Sequence, residues 1–182
     1  MAEKSLNLED TIISLFEAKK FSTLKDVLVT LTPPDLAMLF ENLPEESLPL
    51  LFRLLPKEKA ANTFVEMDSD FQEMLIKGFS DNELKAVIDE LYIDDAVDIV
   101  EEMPANVVTR ILQQADSETR RMINEILKYP EDSAGSLMTP EYVNLSPKMT
   151  AEQAIANVRR TGVDKETINT CYVTDSSRHL IG

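Results

Sequence analysis

Apolar residues recur along this chain at a fixed interval of twelve. Leu31, Leu43, Leu55, Met67, Phe79, Leu91, Met103, the weaker Ala115 and then Leu127 mark the period. Typical units are "LTPPDLAMLFEN", "LPEESLPLLFRL" and "FSDNELKAVIDE". The sixth, ninth and tenth positions of a unit are mostly aliphatic or aromatic, as in Leu36, Leu39 and Phe40 ahead of Leu43. Spacing of i, i+3, i+4 and i+7 places such residues on one face of a short helix. Each unit also opens on a helix-start signal, either Pro33, Pro44, Pro56 and Pro104 or Asp68, Ser80, Asp94 and Asp116. The pattern predicts short helices alternating with tight turns. A helix of about eight residues is marginal alone, because nucleation costs more than its few hydrogen bonds return. Stacking must supply the stability, and the expected architecture is mainly α, a superhelix or α-solenoid. Residues 5–30, with Leu24, Val27 and Leu28 in register but Lys19 at the repeating position, are expected to cap it. Met67, Met74 and Met103 fall on the apolar stripe and are expected to fill the core.

The rhythm breaks after "RRMINEILK", where Pro130, Gly135, Pro140 and Pro147 interrupt it. The expected division is a helical domain over 1–128, a linker over 129–137 and a short α+β segment over 138–182. In that last segment "EYVNL" predicts an extended stretch, and Thr150 to Arg160 predicts an amphipathic helix with Ala154, Ile155 and Val158 inward. A Thr-x-x-Gln capping box starts that helix. "INTCYVTD" predicts a strand, and "DSSRHLIG" a turn into another. Cys171 is expected to be a small buried hydrophobe, and His179 an exposed turn residue.

Composition adds exclusions. The 182 residues are 43% hydrophobic and 28% charged, ordinary for a globular chain. A single cysteine rules out an internal disulfide framework, and no Cys/His cluster suggests a metal finger. Acidic residues spread through the N-terminal stretch predict no signal peptide, and the apolar runs fall short of the roughly 18–20 residues that cross a bilayer. No direct membrane insertion is expected. The net charge is −15, and residues 31–126 carry 21 acidic and 8 basic side chains, or −13 of it. Such a surface repels nucleic acid and anionic lipid, and suits cations or basic partners.

The charge peaks in "DELYIDDAVDIVEE", where seven of fourteen residues are carboxylates. Like charges four apart on a helix cost roughly 0.2–0.5 kcal/mol per pair. Each buried aliphatic side chain contributes roughly 1.5–3 kcal/mol, so the helix tolerates the repulsion. Repeat register turns Ala96, Ile99, Val100 and Met103 inward and sets Asp94, Asp98 and Glu101 along one outer flank, with Asp95 and Glu102 beside them. Oxygens so clustered can hold a hard divalent cation, directly or through its waters.

The repeats, together with "LLPKEKAA", "IDELYIDDAVDIVEEMP" and above all "YPEDSAGSLMTPEYV", strongly resemble the cytoplasmic N-terminal region of MgtE-type magnesium transporters and channels, from about Leu24 to the last residue. The resemblance implies a right-handed helical superhelix followed by the start of a first CBS motif, with the pore outside this chain. It further implies a cytosolic segment at the membrane face that senses Mg2+. Acidic residues of the superhelix face the chain's own CBS domain across bridging Mg2+, which closes the pore, and complete CBS pairs dimerise. Family ion-contacting aspartates fall on Asp94 and Asp98. A family glutamate in the "KAAE"-like motif is Asn62 here, and Glu66, one turn on, is positioned to compensate. With half a CBS pair, tight nucleotide binding is not expected. A passive solenoid scaffold without ion sensing is the alternative. An enzyme is not expected, since there is no P-loop, no nucleophile elbow and one histidine, placed at a turn.

Overall fold

The computed structural model describes residues 2–130 and 132–182, with side chains from residue 8 onward apart from Asp164. Eleven α-helices and two strands are present among them. The chain divides into two compact units, Met1–Leu91 with Asp98–Arg120, and Tyr92–Val97 with Arg121–Gly182.

The helices of the first unit follow the twelve-residue spacing. After α1 (Ala2–Glu17), α2 (Phe21–Thr30) and α3 (Pro33–Glu41) come a 3-10 turn at Glu45–Ser47 with α4 (Leu48–Arg53), then α5 (Lys57–Val65), α6 (Ser69–Gly78) and α7 (Asp81–Ile88). α8 (Ile93–Glu102), α9 (Ala105–Gln114) and α10 (Ser117–Ile126) continue the spacing. The second repeat departs from a single helix because Pro49 lacks an N–H and is accommodated only in the first turn of α4. Lys19, at the repeating position of the first unit, takes φ 56° in the turn between α1 and α2.

Alternate helices pack on one another: α3 on α5, α5 on α7, α7 on α9. Phe52 joins Phe64 and Phe79 at ring-centroid distances of 6.2 and 5.3 Å. Leu24, Leu28, Leu36, Phe40, Leu75 and Leu84 are almost wholly inaccessible. Met67 and Met103 are buried as expected. Met74 is only half-buried, because the inward position of its helix belongs to Gln72, whose amide donates to Phe64 O at 2.8 Å. Basic side chains tie repeats about thirty residues apart: Arg110 donates to Ile76 O, Phe79 O and Asp81, and Lys59 donates to Val29 O at 2.6 Å.

In the second unit, β1 (Tyr142–Leu145) and β2 (Thr167–Val173) form a parallel pair, joined by α11 (Ala151–Thr161). Parallel strands require such a crossover. The Thr150–Gln153 capping box forms as expected. Ile155, expected inward, is 54% exposed: two strands cover only a narrow stripe of α11, and that stripe is Ala154, Asn157 and Val158. Cys171 is likewise half-buried rather than enclosed. Beyond β2 the expected strand reduces to a single antiparallel bridge, Thr174 to Leu180. His179 is exposed and lies 3.3 Å from Asp175 through Nδ1. Gly135 packs so tightly on Tyr129 that an added Cβ would sit 2.3 Å from the ring, which fixes glycine in "DSAGS".

Candidate functional site

Helix α8 is built by the alternation in "YIDDAVDIVEE". Ile93, Ala96, Val97, Ile99 and Val100 are buried, whereas Asp98, Glu101 and Glu102 face solvent. Repeat register sets Asp94 and Asp95 on that outer flank with Asp98, but they are half-buried. They sit in the first turn, which belongs to the C-terminal unit. Glu66, the remaining expected ligand, is exposed at the C-terminal end of α5.

The start of α8 is organised by two carboxylates that sequence reasoning did not single out. Glu141, which precedes β1, accepts the Ile93 N–H at 2.7 Å through Oε2. Its own N–H donates to Thr139 Oγ1 at 3.2 Å, and its carbonyl accepts the Glu166 N–H at 3.1 Å. Glu166 lies near enough to the Asp94 carboxyl for the two like charges to act on each other. The signal for Glu141 was present in the "TPEYV" motif; nothing local marks Glu166.

Electrostatics follow from this crowding. Burial, and secondly the charge of Glu166, push the Asp94 carboxyl above its ordinary value. Burial also raises Glu141, against the pull of the Ile93 N–H. Asp98 is raised by burial and by Glu102 one turn away. Asp94 Oδ1 is shut off from solvent and has no hydrogen-bond partner. A carboxylate oxygen in that state is the kind of group a hard cation satisfies. Among the described residues no group of three or more His, Cys, Asp or Glu side chains is arranged to hold a metal ion.

The described residues thus form a mainly α-helical chain with a small parallel β–α–β element and an acidic helix start. The MgtE intracellular N domain matches residues 8–132, and the chain belongs to the MgtE family of magnesium transporters. It is 34% identical over 181 residues to "Magnesium transporter MgtE" of Thermus thermophilus, a match covering 96% of this chain and 40% of the relative. To the protein of the same name from Bacillus subtilis it is 25% identical, covering 94% of this chain and 38% of the relative. The chain thus spans about two fifths of the length of these relatives. Both are transporters, and the family is one of ion transport rather than of enzymes. A crystal structure of the cytosolic domain of the Mg2+ channel MgtE in complex with ATP superposes with a TM-score of 0.83 at 34% identity, over 93% of this chain and 71% of that one. The soluble part of a magnesium transporter gives 0.84 at 21% identity, over 98% of this chain and 70% of that one, and so supports the fold. The described residues contain no helix long and apolar enough to cross a membrane.

Proposed function

We propose that this chain is the Mg2+-sensing regulatory region of a magnesium transporter. In this reading residues 1–128 form a right-handed superhelix, 129–137 a linker and 138–182 the opening of a CBS motif. Carboxylates of the helical domain and of the CBS domain repel until Mg2+ lies between them. Ion binding docks the two and shuts the pore of the full-length protein, which pairs as a homodimer through complete CBS domains. Asp94 and Asp98 are the principal ion contacts, with Asp95, Glu102 and Glu66 contributing through water.

The observation that carries this reading is the Asp94 carboxylate: half-buried, beside Glu166, with one inaccessible oxygen lacking a donor. A cation supplies what the protein withholds there. The test is a titration of the chain with Mg2+ while its thermal midpoint is followed. At one hundred times the dissociation constant, an ion bound only to the folded state adds about 2.7 kcal/mol. For a chain of this size that is roughly 5–10 °C. The Asp94→Asn, Asp98→Asn double variant should lose the response. An equal gain from sodium at matched ionic strength would indicate screening of a passive acidic scaffold and would defeat the proposal.

A further inference from the structure

Helix starts in the repeat differ in how they are capped. The residue before the first helical position is Thr32, Asp68, Ser80 or Asp116 in four repeats, each accepting an N–H from the helix that follows. In three others it is a proline, at Pro44, Pro56 and Pro104. Before α8 it is Tyr92. A phenol at the end of a ring cannot fold back on its own backbone as a short hydroxyl or carboxylate does, so Tyr92 is not a capping residue.

We propose that Glu141 is a positioning residue for Asp94. It caps α8 from a site 48 residues away, through the Ile93 N–H at 2.7 Å, and so fixes the turn that carries Asp94 and Asp95. A carboxylate in this place satisfies an otherwise orphaned donor and lies at the positive end of the helix dipole. Glu141 is itself held: its N–H is tied to Thr139, and its carbonyl receives the Glu166 N–H. The same residue thus positions both members of the Asp94–Glu166 pair, one through its side chain and the other through its backbone. Residues 92–97 group with this C-terminal unit, although the helix they begin runs on beyond it. The Ile93 N–H to Glu141 bond thus ties the first turn of α8, which carries Asp94, to "TPEYV". The effect on ion response rests on the assignment of Asp94 as an ion contact; the cap itself does not.

Hydrogen exchange on the full chain separates the two. Without divalent ion, Glu141→Ala should speed exchange across residues 93–97 about five- to tenfold, the loss expected for a strong N-cap. Glu141→Gln keeps an acceptor oxygen and should stay within about twofold of the parent, since the hydrogen bond rather than the charge is at issue. With MgCl2, Glu141→Ala should shift the midpoint for protection of this turn several-fold upward, and Glu141→Gln should restore it. Unchanged exchange in Glu141→Ala would overturn the proposal. So would a Gln variant as impaired in Mg2+ response as the Ala variant, because Glu141 would then be an ion ligand. A global loss of protection in Glu141→Ala alone, with Gln at parental levels throughout, still supports the cap. A parent chain that shows no Mg2+-specific protection defeats the ion-sensing reading, while the ion-free comparison continues to judge the cap.

Discussion

At the start of α7, Ser80 and Glu83 form a reciprocal capping box, and Arg53 from an earlier repeat takes the Glu83 carboxylate as an ion pair. Twelve residues later, at the start of α8, Tyr92 stands where the cap belongs, the cap comes from Glu141, and Asp94 faces Glu166 rather than a cation. Arg53, and with it the Ser80 N–H and hydroxyl, draws the Glu83 carboxyl down to about 2. Asp94 is moved the other way by burial and by Glu166. The two repeats share a buried face, yet the Glu83 carboxylate is met by Arg53 and Ser80, whereas Asp94 keeps one buried oxygen without a hydrogen-bond partner. A buried acid oxygen left without a donor is a liability to folding, and under the proposed function it is what a cation would meet.

The largest effect tests whether packing dominates at both starts. Leu84 on α7 is 1% exposed, and truncating it to alanine should cost about 3 kcal/mol, within the range for buried leucines. Denaturant unfolding would measure it. If the loss fell below that of removing the Ser80 cap, typically about 1 kcal/mol, the capping contrast would matter more to the fold than its core.

Next in size, and opposite in sign, is Asp94→Asn in the absence of divalent ions. The amide removes the charge set against Glu166 and supplies a donor. It should stabilise by about 1 kcal/mol, a value reduced from the full cost of a buried unsatisfied group because the side chain is half open to water. Thermal midpoints in chelator would check it. Destabilisation would mean that Asp94 is well satisfied in the folded chain, and the contrast with Glu83 would collapse.

The helices were legible because their signals are local. Period, proline and cap residues placed nearly every helix start, and the capping box at Thr150 followed from four letters. What escaped depended on distant partners. Pro49 split a repeat whose spacing was regular. Ile155 has helical spacing for a core position, but the β-layer behind α11 is too narrow to cover it. Asp94 and Asp98 lie one turn apart and look equivalent in sequence, yet Asp94 is half-buried and Asp98 is exposed. That difference comes from Glu141 and Glu166, at separations no periodicity encodes.

The smallest effect is the most direct on the electrostatic contrast. Glu83 has its folded value lowered from 4.5 to about 2, so the unfolded chain holds that proton more tightly. Its stabilising contribution is complete above about pH 4.5 and is lost as pH falls towards about 2. The pair is substantially exposed, which limits it to at most about 1 kcal/mol. Asp94 has the reverse sign: its folded value is raised from 3.8, so its penalty is full at neutral pH and is relieved as pH falls. Thermal midpoints across this range should therefore show two trends. Glu83→Gln should lie below the parent at neutral pH and converge with it on acidification. Asp94→Asn should lie above the parent and also converge. Curves that stayed parallel for Glu83→Gln would show that Arg53 and Ser80 hold the protonated acid as well as the ionised one, which the geometry of a guanidinium with no lone pair to accept that proton does not allow.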